Sequence, residues 1–154
     1  MNTRFVELIS TAPQGRSGGL ATELADIVKA GIVERHGVFL PVALEETGRF
    51  ISREGQWDSS YESAVSRLHV EDYITADLLD QTLAFIEAML AEWNRCHFPG
   101  RYNAILTIGS DDYVLRFHHV RPGEILVAED LEDFETEAVF ECSSADLSFF
   151  SMSV

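Results

Sequence analysis

The feature that most constrains this chain is a change of hydrophobic period at Pro99-Gly100. Before the break, Leu79, Leu83, Ile86, Leu90 and Trp93 recur at i, i+4, i+7, i+11 and i+14, and Leu78, Phe85 and Met89 widen the stripe. That spacing gives an α-helix one broad apolar face and turns it towards a core. Thr75 is a natural N-cap, Asp77 and Asp80 suit the positive end of the helix dipole, and Arg95 suits the negative end. Ala84, Ala88 and Ala91 lie on the other side among polar residues. Such small residues fit either close packing to a second copy or an ordinary solvated face. Beyond the break the period is two. Tyr102, Ala104, Leu106 and Ile108 alternate with Asn103, Ile105 and Thr107; a Gly109–Asp112 turn leads to Tyr113, Leu115 and Phe117, alternating with Val114, Arg116 and His118. Two strands joined by so short a turn form an antiparallel hairpin.

The flanking segments extend this pattern. Arg121-Pro122-Gly123-Glu124 fits a type II turn, with Pro second and Gly third. Ile125–Ala128 follows as a third strand and Ala138–Cys142 as a fourth. Near the N terminus, Phe5–Ile9 suits a short strand or the start of a helix, and Thr11–Gly19 (TAPQGRSGG) is a loop punctuated by Pro and Gly. Leu20, Leu24, Ile27, Val28 and Ile32 then recur at helical spacing, so a first main helix is expected over Thr22–Arg35, capped by Thr22 and ended by Gly37. Val38–Leu44 is an apolar run, expected as a strand that Pro41 confines to an edge or bulge. Glu45–Ser60 suggests turns with a short strand at Arg49–Ser52, and Tyr61, Ala64, Val65 and Leu68 a modest helix. Helices early and strands late give an α+β domain over residues 1–154, with two main helices on one face of an antiparallel β-meander.

No catalytic or cofactor pattern stands out. His36, His69, His97, His118 and His119 form neither an HExxH nor a zinc-knuckle spacing, so no metal is expected. In Cys96-His97 and His118-His119 the members are adjacent, and neighbours on a strand point to opposite faces. There is no GxSxG, and Gly15–Gly19 (GRSGG) lacks the Lys and Ser/Thr of a phosphate-binding loop. The expectation is a protein without catalytic residues and without cofactor. Two cysteines imply no disulfide framework, and the opening residues carry Glu7 within a short apolar stretch that makes a poor signal peptide. With no run near the ~20 apolar residues of a membrane span, the expected setting is the cytoplasm. Ten Arg against one Lys, Lys29, is the bias of a GC-rich, bacterial coding sequence.

Charge narrows the class of partner. Eleven basic against 26 acidic residues leave a net charge of −15. Phosphate and anionic lipid are repelled by such a charge, so nucleic acid and membrane are excluded in favour of a basic protein. From Pro122 onward there is no Lys or Arg, and acids crowd into Glu129–Glu137 (EDLEDFETE) around Leu131 and Phe134. Glu129, Asp130, Glu132, Asp133, Phe134 and Glu135 are the candidate partner-binding residues: charge would steer the encounter and an apolar anchor would hold it. The competing reading is a solvated loop with Leu131 and Phe134 tucked into the core. In size, acidity, scarcity of cysteine and lack of a catalytic motif, the chain resembles the immunity proteins of bacterial toxin systems. That resemblance implies a protein that binds a cognate toxin and covers its active site or substrate surface. An interaction module of another kind, a homodimeric adaptor or a secretion chaperone, is the alternative.

Overall fold

A computed structural model describes residues 1–12, 18–127 and 130–151. Phe5–Ile9 lies within helix α1 (Thr3–Thr11), whose N terminus Asn2 caps by accepting from Phe5 N at 3.1 Å. Helix α2 runs over Thr22–Ala30 and stops five residues before the expected end. Its stop is Gly31, not Gly37: Gly31 has φ +82°, a conformation that costs a residue without Cβ little. The remainder of the expected helix is strand β1 (Ile32–Arg35), paired antiparallel with β2 (Val38–Pro41). His36 and Gly37 make the two-residue turn, with φ +53° and +83°. Positive φ at both positions gives the backbone twist that a tight hairpin needs.

Pro41 ends β2 in a sheet of two strands, both of them edges, as its missing N–H requires. Short helix α3 (Glu45–Gly48) follows, and no strand forms over residues 49–52. Helix α4 (Asp58–Val65) leads to the two-residue strand β3 (Leu68–His69). Helix α5 (Leu78–Arg95) is the long one, and it starts from Asp77 at φ +54° and not from Thr75. Strands β4 (Tyr102–Ile108) and β5 (Tyr113–His119) form the expected hairpin, and β6 (Ala138–Ser143) and a terminal turn of helix, α6 (Ser148–Ser151), complete the chain.

The protein is mixed α+β with two antiparallel sheets, but its larger sheet is not a meander. The strand order is β3-β5-β4-β6. Only β4 and β5 are neighbours both in sequence and in space; β6 returns to the far side of β4, in register from Ile108↔Ala138 to Asn103↔Ser143. The expected third strand is missing because residues 125–127 are irregular, and Ala128 lies outside the described residues. Gly123, at φ +78°, and the Glu124 N to Arg121 O bond of 3.3 Å do form the expected turn.

Alternation divides the sheet into two faces. Tyr102, Ala104, Leu106, Leu115, Phe117 and Phe140 join one core with Phe85, Ile86, Met89, Leu90 and Trp93 of α5, Leu24 and Ile27 of α2, and Phe5 of α1. Trp93 stacks on Tyr102 with centroids 4.7 Å apart and planes 2° from parallel, and Tyr102 stacks in turn on Phe117 at 5.7 Å. The other face includes Ile105, Thr107, Arg116 and Val139, which line an open cleft.

Candidate functional site

Three groups of residues outside the core could carry function: the acidic segment, a buried ion pair, and the cleft. The acidic segment is only partly committed to solvent. Glu129 lies outside the described residues. Asp130 is exposed and accepts from Glu132 N at 3.0 Å, capping a 3-10 turn over Leu131–Asp133. Glu132 reaches back to the first turn of α1, accepting from Thr3 N at 2.7 Å and Thr3 Oγ1 at 2.8 Å. A carboxylate there also meets the positive end of the helix. Asp133 and Glu135 are exposed, and their side chains have no hydrogen bond or ion pair among the described residues. Phe134 is half-buried on the wall of the cleft, and Leu131 is partly covered beside Asn2, which donates to its carbonyl at 3.4 Å.

The buried ion pair was invisible in the sequence. Glu62 of α4 is fully buried, and its carboxylate takes four donors. Phe39 N at 2.7 Å and Arg121 Nη2 at 2.7 Å reach Oε1; His119 N at 2.7 Å and Arg121 Nη1 at 2.9 Å reach Oε2. This fork is the strong, bidentate form of the arginine–carboxylate pair. The hydrogen bonds that Arg121 donates to Glu62 hold its pKa above the ordinary value. Arg121 also donates to Gly37 O at 2.9 Å, so β2, the His36-Gly37 turn, α4 and the end of β5 meet on one carboxylate. Satisfied on every side, the pair is a structural junction with no unused group to offer a substrate.

The histidines of β5 and the thiols do not converge on a common site, although Nδ1 of His118 and of His119 is buried without a hydrogen-bond partner. His119 packs edge-on to Phe39 at 5.0 Å, and its Nε2 lies 2.9 Å from Pro99 O. His118 is 6% exposed, and burial first, then the Arg121 charge, pushes its pKa down to about 4. Burial pushes the Cys142 thiol up to about 12, and burial with the nearby Glu92 raises that of Cys96. Neither sulfur is a ready thiolate at neutral pH. Among the described residues no three His, Cys, Asp or Glu side chains converge as a metal site, and no helix is long and apolar enough to cross a membrane.

The cleft has a volume of about 540 Å³, within the size range of small-molecule sites. The sheet supplies Ile105, Thr107 and Arg116; α4 and its C terminus supply Ser63, Ala64 and Arg67; Leu126 and Phe134 close one side. Among the described residues neither guanidinium has a hydrogen bond or an ion pair. Arg116 is half-buried, and desolvation, then the Arg67 charge, lowers its pKa, while the Glu137 charge acts in the opposite direction. The two arginines are 49 positions apart in sequence. The alternation of β5 sets Arg116 on the same face as Val114 and His118, but nothing in the sequence points to its meeting Arg67.

Comparison with known proteins adds kinship but no chemistry. The chain is 30% identical over 78 residues to Uncharacterized protein PM0498 of Pasteurella multocida (strain Pm70). The matched stretch covers 48% of this chain and 49% of that protein, so it spans about half the length of the curated relative. No solved structure matches. The family match is far longer than the pairwise one: the model of the Uncharacterized protein PM0498 family covers residues 1–152, and the chain belongs to that family.

Proposed function

We propose that this chain is a non-catalytic binding protein that captures a basic protein partner, and that the partner is a bacterial toxin whose working surface it covers. The observation that supports this reading is the pair of uncommitted carboxylates on Asp133 and Glu135, standing exposed at the basic-free end of a chain of net charge −15. Glu132 and Asp130 each commit one carboxylate oxygen within the chain and so help to fix the shape of the segment. Asp133 and Glu135 are left to face a partner. Phe134, between them, is turned towards the cleft and contributes shape more than an exposed anchor. A field of this sign raises the rate of encounter with a cationic surface, and salt weakens it.

The test is kinetic. A basic protein retained from the native host by the immobilised chain is purified, and its association is followed at low and physiological salt. An Asp133→Asn, Glu135→Gln double variant should slow association by about threefold or more and flatten its salt dependence, while leaving dissociation little changed. Association that is insensitive both to salt and to the double substitution would overturn the proposal. Retention of an acidic partner instead would do the same.

A further inference from the structure

We propose that the cleft between α4 and the open face of the larger sheet binds a small amphipathic anion, a carboxylate or phosphate monoester with an apolar body, through Arg67 and Arg116. The chain has few cations, and most of those with a described charge partner hold it close: Arg121 with Glu62, Arg95 with Glu92, Arg53 with Asp58, Arg35 with Glu45, Arg49 with Glu46. Arg67 and Arg116 instead line the same concavity, and no described carboxylate contacts either. Two like charges on one wall repel one another, and the Arg116 guanidinium is partly desolvated as well; burial first, then the Arg67 charge, lowers its pKa against the opposing pull of Glu137, so holding the pair together has a cost. An anion between them would relieve it.

The rest of the wall supplies the remaining requirements. Ser60, Ser63 and Thr107 bring hydroxyls that can donate to an anionic head, and guanidinium groups suit a planar or tetrahedral oxyanion through paired N–H donors. Ile105, Val139 and Phe134 bring apolar surface for the body of the ligand. The volume of about 540 Å³ holds a medium-sized organic anion with room for water. The net charge of the protein does not forbid this. At physiological salt, charges further than ~8 Å are largely screened, so a ligand seated in the cleft feels its two arginines, tempered by Glu137, more than the rest of the −15 charge. Charge explains the head and the apolar lining explains the body; neither feature alone would select an amphipathic anion.

Titration calorimetry on the full chain separates these contributions with four probes: octanoate, octyl phosphate, inorganic phosphate and octanol. Octanoate or octyl phosphate, or both, should bind at one site, and their ranking identifies the head group. Inorganic phosphate and octanol should each bind at least about tenfold more weakly than the better amphiphile, since one lacks the body and the other the charge. Arg67→Gln, at an exposed position, should weaken that amphiphile by about tenfold, the scale of one lost charged hydrogen bond. Arg116→Gln should do at least as much, with circular dichroism melts confirming that each variant is folded. No binding of either amphiphile would overturn the proposal. So would equal binding of octanol, equal binding of inorganic phosphate, or unchanged affinity in folded Arg67→Gln.

Discussion

At the scale of single residues, Glu62 shows how much structure can rest on one carboxylate. A buried carboxylate is several kcal/mol unfavourable unless donors replace its water, and here four donors do so. Glu62→Gln keeps the shape but removes the charge, turns two N–H groups towards existing donors, and leaves Arg121 beside a neutral amide. We expect a loss of about 3–5 kcal/mol in urea unfolding, the scale of a broken buried pair. A loss below ~1 kcal/mol would mark a solvated surface pair instead. Sequence reasoning could not find this residue. The Asp58–Val65 segment is only weakly patterned, Glu62 is one acid among 26, and Arg121 lies 59 positions away.

At the scale of elements, legibility followed the length of the periodic segment. The stripe of α5 repeats over many turns, and six of the eight apolar residues assigned to it are buried: Leu83, Phe85, Ile86, Met89, Leu90 and Trp93. Leu78 and Leu79, in the first turn, are only half-covered. Leu83→Ala should therefore cost about 2–5 kcal/mol, the range for large-to-small changes in a core, and Leu79→Ala clearly less. Equal losses from the two in denaturant melts would mean that the helix is rotated from its described face. The hairpin of β4 and β5 was legible for the same reason, because seven-residue strands display their alternation fully. Helix α2 was overextended because Ile32 falls in helical phase with Leu24 and Val28, and only the backbone at Gly31 and at His36-Gly37 reveals the switch to a hairpin. Strand order was out of reach. Which strand neighbours which depends on contacts between residues far apart, and β6 lies beside β4 although β5 precedes it in the chain.

At the scale of the whole molecule, charge and burial oppose one another as pH falls. Protonating carboxylates relieves the self-repulsion of a −15 chain and favours the compact state. His118 acts the other way. Its folded pKa is depressed from 6.5 to about 4, so the unfolded chain binds the extra proton first as pH drops below 6.5. Stability from this group is intact above that value and is lost progressively down to about 4. Between pH 7 and pH 4.5 the loss should be about 2–3 kcal/mol, following from one pKa unit being roughly 1.4 kcal/mol. Comparing wild type with His118→Gln at both pH values cancels the charge effect common to the two. The variant should lose less stability, or gain more, on acidification; parallel responses would show that the His118 pKa does not differ between the folded and unfolded states.

The bonds along the rims of the larger sheet have a consequence for how this molecule can be approached. On the outer side of β5, Tyr113 N donates to Glu71 Oε2 at 3.0 Å, β3 pairs at Leu115, Ser66 Oγ accepts from Phe117 N at 2.8 Å and donates to Phe117 O at 2.7 Å, and Glu62 receives His119 N. On the outer side of β6, Asn2 meets both backbone groups of Val139, and the Asp146 carboxylate receives Ser143 N at 3.2 Å. Side chains thus occupy positions that another strand would need. A peptide cannot readily extend this sheet by strand addition, and two copies cannot readily zip together along these rims into a growing ribbon. On this sheet recognition is left mostly to side chains and to the cleft, where shape and charge can discriminate, while backbone pairing, which accepts almost any sequence, is restricted at Tyr113, Phe117, His119, Val139 and Ser143.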